Sequence, residues 1–132
     1  GRFRGAPGIE VELRPVNCRM EAGFVADGNI HNPLGARGGE AAAKSDQFRR
    51  TRGGELERLD QCSQVWIEDG EALVSIACGG GGYGDPKTRD PARVLSDVRE
   101  GLVSRNRAKN VYGVAVTETM ETDETATAAL RN

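Results

Sequence analysis

Val65-Trp66-Ile67-Glu68-Asp69-Gly70-Glu71-Ala72-Leu73-Val74-Ser75-Ile76 sets two β-rich runs on either side of an Asp-Gly pair. Asp-Gly between such runs is a strong hairpin signal, because the two-residue type I′ turn needs positive φ at both central positions. The spacing predicts a hairpin with Ile67 opposite Ala72 and Val65 opposite Val74 on one face, and Trp66 opposite Leu73 on the other. Glu68 and Glu71 then meet beside the turn as a mild like-charge pair. Working back toward the start, Ile9, Val11 and Leu13 alternate with Glu10, Glu12 and Arg14, the period of a strand with one wet face. Pro15 ends that strand, and Met20 to Val25 reads as another short one.

Working forward, the chain turns helical. Asp90 reads as an N-cap with Pro91 as the first helical residue. Val94, Leu95 and Val98 form one apolar stripe, and Gly101 sits where a left-handed residue closes a helix. Ser104 caps a second short helix carrying Ala108 and Val111, followed by a strand from Tyr112 to Thr117. Residues 118–132 are Thr-rich and acidic and read as a polar tail. From Asp27 to Gly54 no periodicity survives, and a loop of that length inside a compact domain is either functional or held by a neighbour. The reading is α+β: an antiparallel, hairpin-containing sheet with two short C-terminal helices and long Gly-rich loops.

Composition narrows the function. The chain has 132 residues, 18 of them Gly, with an aromatic share of 5% and a single Trp. Only about a fifth is Leu, Ile, Val or Phe, the level at which a self-sufficient core is in question. Disorder normally pairs such a deficit with high net charge, yet 18 basic and 20 acidic residues leave a charge of −2. A structured chain short of core is expected to lean on a partner. The same balance argues against a general nucleic-acid binder, whose phosphate contacts need a positive surface. No apolar run approaches the ~20 residues of a membrane span and no signal peptide opens the chain. Three dispersed cysteines, Cys18, Cys62 and Cys78, do not make a disulfide framework, so a reducing cytoplasm is expected. With His31 they lack metal-ligand spacing, and no metal site is predicted. Cys78 beside glycine N–H groups has the surroundings of a nucleophile, but within Ile76-Ala77-Cys78-Gly79 it reads as a small buried hydrophobe.

The most distinctive stretch is Gly79-Gly80-Gly81-Gly82-Tyr83-Gly84-Asp85-Pro86. No Lys-Ser or Lys-Thr follows, so it is not a phosphate-binding P-loop, and no ribose-binding acid follows at dinucleotide-fold distance. Two readings stand. In one, Gly79, Gly80, Gly81, Gly82, Tyr83, Gly84 and Asp85 form the backbone wall of a substrate cavity, with Tyr83 and Asp85 offering polar groups. In the other, the glycines mark a tight passage where another backbone packs. Arg37-Gly38-Gly39 and Arg52-Gly53-Gly54 add a separate possibility, an independent RNA- or peptide-binding module, diluted by Glu40, Asp46, Glu55 and Glu57.

The opening Gly1-Arg2-Phe3-Arg4-Gly5-Ala6-Pro7-Gly8 resembles the stretch that begins the C-terminal region of the hydantoinase B/oxoprolinase family. Gly79 to Pro86, then Arg89-Asp90-Pro91, Val94, Asp97-Val98, Gly101 to Ser104, Ala108 and Tyr112-Gly113-Val114, resemble that family's ending, in the same order. The resemblance covers positions 1–8 and 79–114 well and the middle loosely. It implies a C-terminal-like domain over residues 1–117 docked on a larger subunit. The expected role is the small part of a multi-subunit ATP-dependent carboxylase of the acetophenone carboxylase type, in which a B-type protein is divided in two. The alternative is a component or fragment of an ATP-dependent hydantoinase or 5-oxoprolinase. In either case the chain is expected to be inactive alone, to carry no catalytic residue and to bind no cofactor. ATP and a divalent metal are expected on a partner, and the implied partners are larger hydantoinase B-like and hydantoinase A-like subunits, with no nucleic acid and no membrane.

Overall fold

The computed structural model describes all 132 residues, Gly1 to Asn132, and the fold is α+β. The chain divides into two compact units. One comprises Gly1–Ala6, Leu34–Ala41 and Gly80–Asn132; the other comprises Pro7–Pro33 and Ala42–Gly79.

The second unit holds all six strands: β1 (Ile9–Leu13), β2 (Met20–Val25), β3 (Asp46–Arg50), β4 (Leu56–Arg58), β5 (Cys62–Ile67) and β6 (Ala72–Ala77). They form a four-stranded antiparallel sheet in the order β1-β6-β3-β4 and a two-stranded ribbon of β2 and β5. β1 lies where the alternation puts it, and β2 covers the second expected strand.

The expected hairpin between β5 and β6 does not form. Its turn exists: the Glu71 N–H donates to the Glu68 carbonyl at 3.0 Å, and Gly70 has φ +83°. Asp69, however, keeps a negative φ, so the type I′ geometry that twists two strands back onto each other is missing. The turn instead carries the chain from the ribbon into the sheet. Outside contacts hold it there: the Arg52 guanidinium donates to the Asp69 carbonyl at 2.9 Å and the Asn17 N–H to the Asp69 carboxylate at 3.3 Å. Trp66 therefore lies opposite Glu21, and Leu73 opposite Leu13 and Arg49. The Glu71 carboxylate, rather than repelling Glu68, accepts the Glu68 N–H at 3.0 Å.

The sheet's hairpin is β3–β4, inside and just after the stretch without periodicity. Its loop closes by Thr51 N–H to Glu55 O and Gly54 N–H to Thr51 O, both 2.9 Å, with Gly54 at φ +88°. Asp46-Gln47-Phe48-Arg49-Arg50 has one apolar residue, yet it fills an interior place between β6 and β4 because its charges are paired. Arg58 reaches Asp46 at 2.8 Å, Arg49 reaches Glu57 at 3.1 Å and Arg50 reaches Glu12 at 3.3 Å. Ile67, Ala72, Leu73 and Val74 are this unit's buried apolar residues.

The first unit is helical. α1 (Pro91–Arg99) opens on Asp90, whose carboxylate accepts the Ala92 N–H at 2.9 Å, and ends before Gly101 at φ +73°. α2 (Arg105–Tyr112) is capped by Ser104, whose hydroxyl accepts the Arg107 N–H at 3.1 Å. The helix includes Tyr112, so the expected strand from Tyr112 is replaced. The ring is buried from the last helical turn, and Gly113 at φ +62° ends α2 in the left-handed region. Val94, Val98, Val103, Ala108, Tyr112 and Val114 form the core of this unit.

The expected polar tail carries a third helix, α3 (Glu124–Arg131). Asp123 caps it by accepting the Ala126 N–H at 2.9 Å, and buried Thr127 accepts the Ala115 N–H at 3.0 Å through its hydroxyl. Eight residues are too few for a helix to persist on propensity alone. Asp123→Ala is expected to cost about 1 kcal/mol, and exchange of the α3 amides should quicken while that of α1 stays unchanged.

Candidate functional site

The glycine run folds as an elbow against its own chain. Tyr83 is the central rung of a three-segment junction, bridging Phe3 in antiparallel and Ala36 in parallel fashion. The Gly80 N–H donates to Ala6 O at 3.0 Å; those of Gly82, Tyr83 and Gly84 donate to Glu40 O, Phe3 O and Ala36 O, each at 2.9 Å. Four candidates for an anion cradle are thereby spent on carbonyls, and Gly82 is buried. The absence of side chains is what lets the three segments close: a Cβ on Gly5, Gly39 or Gly81 would fall well inside contact distance of the backbone of Gly80, Gly82 or Leu34 respectively.

Tyr83 itself faces outward. Its ring lies 6.4 Å from that of Phe3, and both are about half exposed. The Arg37 guanidinium sits 5.9 Å from the Tyr83 centroid and that of Arg2 sits 5.7 Å from Phe3, placing two cations over an aromatic pair. Beside it runs a cleft of about 300 Å³ lined by Arg2, Phe3, Thr88, Asp90 and Arg93. Asp85 is exposed and its carboxylate accepts the Lys87 N–H at 2.9 Å, starting a single 3-10 turn. Of the seven elbow residues, Tyr83 and Asp85 thus bring side chains to the surface, while Gly80, Gly81, Gly82 and Gly84 bring close packing.

Arg37 at φ +48° and Gly38 at φ +87° make a tight turn closed by Gly39 N–H to Ala36 O at 2.9 Å. Gly53 and Gly54 belong to the β3–β4 loop. Both Arg-Gly-Gly triplets are therefore ordered turns. Cys18 and Cys62 are exposed on the other unit, Cys78 is half-buried, and the three are free thiols. No three His, Cys, Asp or Glu side chains gather where a cation could be held. No helix is long and apolar enough to cross a membrane.

The sequence reading missed a buried ion network beneath the elbow. The Asp97 carboxylate accepts from Arg89 at 2.8 Å and from Arg4 at 3.0 Å, and Arg89 also donates to the Arg2 carbonyl at 3.1 Å. Arg131 in turn donates to the Arg89 carbonyl at 2.7 Å. Arg89 and Asp97 are both buried, and this network ties the opening segment to α1 and α3 to the segment that leads into α1. One signal was visible: Asp97 lies three residues after Val94 and one before Val98, on the apolar stripe of α1, where an unpaired carboxylate would not survive.

The hydantoinase B/oxoprolinase family model matches residues 1–86. The chain is 36% identical over 99% of its length to the beta subunit of the caprolactamase of Pseudomonas jessenii, covering 23% of that protein. It is 31% identical over 99% of its length to the B subunit of a putative D-/L-hydantoinase of a Pseudomonas species, covering 22% of it. A shorter match, 43% over 47 residues, joins 35% of the chain to 7% of the delta subunit of the acetophenone carboxylase of Aromatoleum aromaticum. The crystal structure of the ATP-dependent caprolactamase from Pseudomonas jessenii superimposes with a TM-score of 0.74 at 31% identity, over 99% of this chain and 23% of that one. The chain therefore spans about a quarter of the length of the relatives that it matches end to end. The sequence match over two-thirds of the chain and the shared fold over nearly all of it place this chain in the hydantoinase B/oxoprolinase family.

Proposed function

We propose that this chain is a non-autonomous part of the B-type component of an ATP-dependent enzyme that opens a cyclic amide, a lactam or a hydantoin. The observation that carries the reading is end-to-end similarity to proteins named for such substrates, with 36% identity to the caprolactamase beta subunit. The ketone carboxylation expected from the sequence is the second reading, supported by the 47-residue match to the acetophenone carboxylase delta subunit. In both, the chain works with a larger B-type portion and an A-type subunit in the cytoplasm, and ATP and its divalent metal sit on the A-type subunit. The N–H groups of Gly80, Gly82, Tyr83 and Gly84 are already bonded to carbonyls of the same chain, so they take no part in holding a phosphate in this reading. Within the chain, Gly80, Gly81, Gly82 and Gly84 act as packing. Tyr83 and Asp85 are the elbow side chains available to a cavity wall or a subunit contact.

The test is reconstitution. With the rest of the B-type polypeptide and the A-type ATPase, ATP hydrolysis should depend on an added lactam or hydantoin and proceed without bicarbonate. The chain alone should hydrolyse neither. ATP turnover that requires both bicarbonate and a ketone would replace this reading by the second. A cooperatively folded monomer that captures no B-type polypeptide would end both, and salt-sensitive co-purification of nucleic acid would then favour an RNA-binding module.

A further inference from the structure

The four-stranded sheet has two edges built on different terms. β4 is three residues long and charged, with Glu57 held by Arg49 at 3.1 Å and Arg58 by Asp46 at 2.8 Å. Short length and charge are how sheets blunt an edge against further pairing. β1 is longer and keeps one face aliphatic. It pairs with β6 through five residues, from Ile9↔Ala77 to Leu13↔Leu73, and its other side meets no strand. Ile9, Val11 and Leu13 share that face and are 62%, 43% and 47% exposed. No Lys or Pro interrupts the strand.

Resting on the B-type reading above, we propose that the free edge and aliphatic face of β1 receive an extended segment from the part of the B-type polypeptide that this chain does not match. That part is about three times as long as this chain, since the chain spans 22–23% of its end-to-end relatives. Added strands satisfy edge N–H and C=O groups and bring alternate side chains to the buried face. A second copy of this chain fits poorly. Any register that sets Ile9, Val11 and Leu13 beside their counterparts also sets Glu10 or Glu12 opposite another glutamate, which is destabilising. Glu12 is in addition held below the usual carboxylate range by the hydrogen bond from Arg14, with help from Arg50, so it stays charged. The incoming segment should therefore alternate aliphatic residues with neutral or basic ones.

The experiment uses the whole B-type assembly. Hydrogen exchange should show β1 amides protected beyond those of β4, and a photo-crosslinker at Val11 should capture residues of the unmatched B-type portion. Val11→Lys should lower the yield of assembled enzyme about tenfold or more, while Leu56→Lys on β4 leaves it within about twofold. β1 amides that exchange as fast as those of β4 overturn the proposal. So does capture of a second copy of this chain or of the A-type ATPase, or normal assembly of Val11→Lys. Any of these in an assembly that still contains the B-type polypeptide sinks the docking edge alone. Failure to find that polypeptide at all sinks the family role beneath it.

Discussion

Gly81→Val is expected to destabilise the protein by about 3 kcal/mol or more, a large share of the roughly 5–15 kcal/mol that holds a domain of ordinary stability together. A Cβ at this position meets the Leu34 carbonyl and lies within 3 Å of the Gly35 nitrogen. Both are backbone atoms, which cannot swing aside as a flexible side chain does. The elbow cannot retreat either, because Gly80 and Gly82 on both sides are tied to Ala6 and Glu40. Gly23→Ala is the matched control: no atom lies within 4 Å of the added carbon. There the change should be neutral or raise stability by about half a kcal/mol through the unfolded chain. Soluble yield and thermal midpoint of the two variants, co-expressed with the remaining B-type polypeptide, check the pair. Equal midpoints would mean that the glycine run is not the tight junction described.

The second large effect is at Asp97. Removing its carboxylate by Asp97→Ala leaves the buried Arg89 guanidinium without its counter-charge, and one Arg89 nitrogen already lacks a partner. Breaking a buried pair from one side costs about 3–5 kcal/mol, because the remaining charge stays out of water. Arg4→Ala should cost less, since Arg4 is a third exposed and solvent screens it. Replacing both buried partners with apolar residues, Asp97→Leu with Arg89→Met, should recover much of the loss. Chemical denaturation of the single and double variants decides it. A double variant as unstable as Asp97→Ala would show that Arg89 acts through its bond to the Arg2 carbonyl and not through its charge.

Much of the site was readable one segment at a time. Gly101 ends α1 at positive φ, and Asp90 and Ser104 cap α1 and α2, because caps are decided by a handful of neighbouring residues. The glycine run announced close approach of another backbone, but not which groups its N–H donors would meet. Those partners, Ala6, Glu40, Phe3 and Ala36, are some forty to eighty residues away in the chain, where periodicity carries no information. Asp123 and Thr127 were equally invisible: a polar eight-residue helix reads as a tail until a core exists for Thr127 to bury against.

What the sequence determined by itself was local. It set the strands at Ile9–Leu13 and Met20–Val25, the turn at Asp69-Gly70, the N-caps of the first two helices, and the motif order that marks the family. Tertiary structure decided the pairing. A turn signal says where a chain bends but not which strand it bends onto, and negative φ at Asp69 sent β6 to β1 and β3 instead of back to β5. Pairing is settled by hydrogen-bond ladders and charge partners contributed from a distance, as Glu12, Glu57 and Arg58 make an interior strand of β3. Residue spacing cannot encode a partner whose identity depends on the rest of the fold being in place.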